Sequence, residues 1–185
     1  EGRVDTSRSV KCSVNGVATQ DFYGWRDEFY HGTHVAGPIA AKHDGVGVDG
    51  VNPTLRIAAI NVASRNGGFF YPEYIVCGFV WAADHGISVT NGSYYVDPWK
   101  YWLPNDPEQA AGQEAVQRAV DYATSKDVIN VVAAGNFSTD LDNLPTTDDS
   151  APGGPSRGEK GVSLLNCHYA FDSARREFRI RYFYE

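Results

Sequence analysis

The chain has 185 residues, 42% hydrophobic and 21% charged, with a formal net charge of −7. That length suits one domain with its own core, and that composition excludes a disordered or collagen-like polymer. The acidic balance argues against general nucleic-acid binding, no apolar run approaches the ~18 residues of a membrane span, and three cysteines are too few for a disulfide-built scaffold.

Taken in chain order, Ile57-Ala-Ala-Ile-Asn-Val62 is apolar nearly throughout and predicts a buried strand. A helix is predicted over 72–85, with Pro72 at its first position and Gly86 as its stop. Its residues Ile75, Val76, Phe79, Val80 and Ala83 form one helical stripe. Ile87-Ser-Val-Thr90 predicts a short strand. A long helix follows over 107–126, with Asp106 as cap, Gln109 as its reciprocal partner, and Ala111, Ala115, Ala119, Val120 and Ala123 on one face. Val128-Ile-Asn-Val-Val-Ala133 predicts a further buried strand.

Strands alternating with helices imply βαβ units, hence an α/β fold with a parallel sheet and helices on both faces. Sites in such sheets form at the carboxyl ends of strands, here after Thr90 and after Ala133. Residues 137–161 are rich in Ser, Thr, Asp, Pro and Gly and predict a long surface loop. From Lys160 onward five basic and three acidic residues reverse the charge of the rest, and residues 174–185 alternate like an edge strand. The division expected is a main unit over 1–160 and a divergent tail over 161–185. With no methionine anywhere, the chain is expected to be processed or a fragment.

The sharpest chemical feature is His31-Gly-Thr-His-Val-Ala-Gly37. If His31 opens a helix, the positive end of the helix dipole disfavours the imidazolium and leaves a ring able to accept a proton near pH 7. The plain alternative is a structural histidine. A metal site on His31, His34 and His43 is the weaker alternative, because the H-E-x-x-H pattern is absent. Tyr94, Tyr95, Trp99, Tyr101 and Trp102 form an aromatic cluster suited to a substrate wall, a partner site or the capped edge of a core.

The heptapeptide resembles the histidine signature of the subtilisin-like serine proteases (subtilases). Gly50-Val-Asn-Pro53 running into Ile57–Val62 is similar to the family's Gly-Val-Ala-Pro segment and following strand. Asn91-Gly-Ser-Tyr-Tyr95 resembles its substrate-binding strand, and Ala133-Ala-Gly-Asn136 its oxyanion-asparagine motif. The stretches 76–82 and 93–99 resemble secreted, Streptomyces-type members most. The resemblance implies a three-layer subtilisin-like fold, incomplete here, and a secreted, monomeric endopeptidase acting on polypeptides. No cofactor is implied for catalysis, though structural calcium is common in the family.

By that resemblance His31 is the general base of a Ser-His-Asp triad and Asn136 donates its amide to the oxyanion. Ser93, Tyr94 and Tyr95 pair with extended substrate, while Ala133, Ala134 and Gly135 line a pocket wall. Tyr95 replaces a glycine usual in the family. Asp5, in Val4-Asp-Thr-Ser7, is the candidate triad carboxylate; it precedes His31 by 26 residues, against about 32 in the family template. Ser7-Arg-Ser-Val-Lys-Cys12 resembles a stretch that follows the true aspartate motif in Streptomyces-type members.

Nothing resembles the Gly-Thr-Ser-Met-Ala segment of the nucleophile, and Ser150, Ser156, Ser163 and Ser173 lack its context. The template places that serine roughly 65 residues beyond the oxyanion asparagine, past residue 185. A non-catalytic peptide-binding module is therefore the alternative reading. Cys12, Cys77 and Cys167 allow three single pairings, and the sequence does not choose among them.

Overall fold

The computed structural model describes residues 3–21, 23–64, 69–99, 102, 106–133 and 136. The loop predicted over 137–161 and the tail over 161–185 lie outside the described residues, as do Ala134, Gly135 and Tyr101. The chain runs β1 (Val10–Cys12), β2 (Ala18–Thr19), α1 (His31–Ala40), β3 (Ile60–Asn61), α2 (Pro72–Asp84), β4 (Val89–Gly92), α3 (Pro107–Ser125) and β5 (Ile129–Val132). β1 pairs parallel with β3 and antiparallel with β2, and β4 pairs parallel with β5.

The β1–β2 hairpin was not anticipated from hydrophobic pattern, because its strands are too short to show a period. Its turn chemistry was visible: Asn15-Gly16 is a hairpin dipeptide, and Gly16 takes φ 67° while its N–H donates to Ser13 O at 2.9 Å.

The two long helices form as their end signals predict. Pro72 sits in the first turn of α2, and the Asp106 carboxylate accepts the Glu108 N–H at 3.0 Å at the start of α3. The Gln109 side chain does turn back to Asp106, donating at 3.2 Å. The buried face of α3 differs from the predicted one. Ala111 and Ala115 are exposed, and Gln109, Val116, Ala119, Val120 and Ala123 are buried. A helix presents its largest apolar groups to the core, so Val116 and Val120 set the rotation and the small alanines do not. α2 is covered on more than its predicted stripe, with Tyr74, Ile75, Cys77, Gly78, Phe79 and Ala82 all buried.

These faces and the strands build one core of Ile75, Phe79, Val116, Val120, Val128 and Val132, with Trp102 buried at its edge and Trp99 tilted against it. Each such side chain contributes about 1.5–3 kcal/mol relative to exposure. Gly78 lets α2 approach β3: a Cβ there would lie 2.6 Å from Val62 Cγ1. A disulfide joins Cys12 of β1 to Cys77 of α2 and so selects one of the three pairings.

The strand predicted over 128–133 is not apolar on both faces. Ile129 points to solvent at 61% exposure, and Asn130 is buried. Its carboxamide is satisfied from both sides, accepting the Thr90 hydroxyl at 2.7 Å and donating to Thr124 Oγ1 at 3.3 Å.

Candidate active site

α1 begins at His31. Its preceding residue, Tyr30, has φ 62° and caps the helix with no side-chain bond. Asp27 supplies what Tyr30 does not. One of its carboxylate oxygens accepts the Phe29 N–H at 2.9 Å and the other accepts the Thr33 N–H at 2.6 Å. Burial alone would raise the Asp27 pKa. Hydrogen bonds from the Thr33 side chain and from the Thr33, Phe29 and Tyr30 amides outweigh it and hold the carboxyl below its ordinary range. The His31 ring is exposed, and among the described residues none hydrogen-bonds to it.

The other end of α1 is held by main chain. Gly50, Val51 and Asn52 donate to Ala41, Pro38 and Ile39 carbonyls at 3.0, 2.8 and 3.0 Å, and the Arg3 guanidinium reaches Ala40 O. Gly50 is required there, since a Cβ would fall 2.3 Å from Ala41 N. The Gly50-Val-Asn-Pro53 segment is thus the C-terminal clamp of the histidine helix.

The second part of the site lies at the carboxyl ends of β4 and β5. Their register pairs Asn91 with Val131 and Gly92 with Val132, and Ala133 N–H continues the ladder to Gly92 O at 3.0 Å. Ser93 therefore leaves β4 where Ala133 leaves β5, and Asn136 follows three residues later, exposed. The structure brings Ser93 and Ala133 together at the carboxyl ends of β4 and β5.

Ser93, Tyr94 and Tyr95 differ in surroundings. Ser93 Oγ accepts the Asn91 amide at 2.8 Å. Tyr94 turns inward, stacked on Phe70 at 4.7 Å, and burial raises its hydroxyl pKa. Tyr95 turns outward at 41% exposure. Its pKa is raised by partial burial and by the Asp97 charge. Asp97 fastens the strand exit to the segment before α2: its N–H donates to Phe70 O at 2.9 Å, and its carboxylate accepts Phe70 N–H at 2.7 Å. Burial raises the Asp97 pKa against that hydrogen bond.

Asp5 lies ahead of β1. It is buried beside the Val4–Ile57 bridge, with its N–H on Ile57 O at 2.7 Å. One oxygen accepts the Ser7 hydroxyl at 2.6 Å, and the other faces Arg56 at 3.4 Å and Arg8 at 3.9 Å. The Ser7 bond foremost, and then the Arg56 charge, hold its pKa low against burial. Among the described residues no hydrogen bond or ion pair joins Asp5 to His31.

The metal alternative finds no support in the side chains. His43 Nε2 lies 2.7 Å from Asp49, and among the described residues no three His, Cys, Asp or Glu groups converge to hold a metal ion. A small cavity of about 20 Å³ lies among Lys11, Glu28, Phe29, Asn61 and Ser64. It suits one water and no substrate side chain.

A family model, Peptidase S8 (subtilase family), matches residues 4–159. The chain belongs to the subtilase family of serine peptidases. It is 37% identical over 115 residues to fervidolysin of Fervidobacterium pennivorans, covering 60% of this chain and 15% of that protein. It is 38% identical over 106 residues to subtilisin DY of Bacillus licheniformis, covering 57% and 34% respectively. Its backbone also matches the epidermin leader peptide processing serine protease of Staphylococcus aureus, with a TM-score of 0.60 at 24% identity, over 77% of this chain and 34% of that one. The chain thus spans about a third or less of these relatives. Among the described residues no helix is long and apolar enough to cross a membrane.

Proposed function

We propose that this chain is the histidine- and oxyanion-bearing part of a subtilisin-like endopeptidase that hydrolyses peptide bonds through an acyl-enzyme. The observation that carries the reading is the parallel β4–β5 register. It sets Ser93 and Ala133 side by side at the carboxyl ends of two strands. An extended peptide could add to Ser93–Tyr95 as a further strand, with Ala133, Ala134 and Gly135 forming the opposite wall. In this reading Asn136 donates to the oxyanion, and His31 takes the proton of a serine lying outside the 185 residues and returns it to the leaving amine.

The reading leaves the triad carboxylate unassigned. Both oxygens of Asp5 are engaged by Ser7, Arg8 and Arg56, which suits an anchor of the first strand. The Cys12–Cys77 disulfide supports an oxidising, extracellular setting. The stretches 76–82 and 93–99 are the basis for placing the chain near the Streptomyces-type branch.

The test is hydrolysis of casein by the polypeptide that carries this chain, and its block by a serine-reactive sulfonyl fluoride. Hydrolysis stopped only by a chelator would overturn the reading. A second reading, a peptide-binding module without turnover, is favoured by one observation: no residue of the 185 carries the nucleophile motif. Loss of that group costs about 10⁶ in turnover. Tight peptide binding with no cleavage would establish it.

A further inference from the structure

The residue that the site needs and the sequence pattern did not single out is Asp27. We propose that Asp27 is a positioning residue for His31: its two oxygens hold the amides on either side of the histidine and so fix the first turn of α1. The proposal rests on the reading of His31 as the base.

Three observations converge on it. First, the amides held are those of Phe29 and Thr33, each two residues from His31, at 2.9 and 2.6 Å. A carboxylate that spans both sides of a residue constrains the backbone between them more than a cap at one amide does. Second, the turn needs holding. Tyr30 takes a left-handed φ of 62°, which is unfavourable for a bulky residue, and its ring is 83% exposed, so packing does not impose the turn. Third, the carboxylate runs along the backbone next to His31: a Cβ at Gly32 would meet Asp27 Oδ2 at 3.7 Å, in ordinary contact.

The chemistry follows from the geometry. A negative group at the start of a helix is stabilising, and here it holds the first turn on which His31 sits. The idle alternative, a solvated surface carboxylate, does not account for two short bonds to amides four residues apart in sequence.

The experiment compares wild type, Asp27→Ala and Asp27→Asn, with Asp121→Ala as a remote control. In the 185-residue chain, NMR reads the Thr33 amide and the histidine rings. Asp27→Ala is expected to raise Thr33 amide exchange about tenfold and to move the His31 ring resonances while those of His43 and His85 stay. In the peptidase that carries this chain, kcat is expected to fall about tenfold with KM unchanged, and Asp27→Asn, keeping one acceptor oxygen, to recover part of that loss. Should Asp27→Ala lose protection across β4 and β5, Asp27→Asn decides by the same readouts. A folded variant with unchanged Thr33 exchange and His31 resonances overturns the proposal, and so does a change in KM alone. If wild type cleaves nothing, the proposed function falls, and the Thr33 and His31 signals alone then decide the role of Asp27.

Discussion

The two halves of the site are built on different physics. The wall at the ends of β4 and β5 rests on the α2–α3 core, where Ile75, Val116 and Ala123 have no exposure. The helix that carries His31 buries only Ala40 and is flanked by Val46, Val48 and Val51, all largely exposed. It is held by hydrogen bonds at its two ends: Asp27 at the start and the main chain of 50–52 at the finish. A surface that must bind an extended chain gains from a rigid sheet. The His31 ring stands open to solvent, and the helix that carries it is fixed by polar bonds in place of packing.

The largest expected effect probes the polar half. His31→Ala should lower kcat by about 10⁶ if the ring is the base, read as casein or peptide hydrolysis. Retained turnover would remove His31 from the chemistry. Asn136→Leu, on the packed half, should cost about 10²–10³ in kcat with little change in KM. Asp5→Asn separates an anchor from a triad member. An anchor leaves kcat within about tenfold and lowers stability, whereas the triad role would cost about 10⁴.

Removing the disulfide of the packed half comes next. The Cys12–Cys77 bridge closes a separation of 65 residues, and the Cys12→Ser, Cys77→Ser double variant should lose about 4 kcal/mol in a urea titration, on the loop-closure account. The smallest effect is in acid. Asp5 and Asp27 have native pKa values below the ordinary 3.8, so near and below that pH the unfolded chain binds more protons than the native one. Their stabilisation is full above about pH 5 and falls as pH drops through the depressed values. Asp97 has the opposite sign, with its raised pKa favouring the fold in acid and losing that share as pH climbs through it. The Asp5→Asn, Asp27→Asn pair should therefore show a shallower acid limb than wild type, measured as urea midpoints at pH 3 and pH 7.

The same contrast explains what the sequence made legible. α2, α3 and β5 are readable because burial leaves a period and because Pro72 and Asp106 mark helix starts, whereas β4 begins two residues beyond the predicted Ile87, with Val89 exposed. The predicted face of α3 agrees at Ala119, Val120 and Ala123 and departs at Ala111 and Ala115, because the larger Val116 takes the buried position. Asn130 was hidden inside an apolar run: only the third dimension sets Thr90 and Thr124 against it. His31 and Asn136 were named from motif likeness, while Asp27 gives no periodic signal. The sign of it was four residues upstream, a carboxylate within reach of the first helical turn. Asp5 shows the limit of a short motif, since Val-Asp-Thr-Ser says nothing of Arg56, which stands 51 residues away in sequence and pairs with it.

The bridge between Cys12 and Cys77 has one more consequence. Every residue from Cys12 to Cys77, the histidine helix included, lies on a closed covalent ring. In a solution of peptidases, a cut in the exposed stretch around Val46–Val51 opens that ring but frees no fragment, since both pieces stay tethered through sulfur. Such nicked molecules should migrate whole on a non-reducing gel and separate only after a thiol is added.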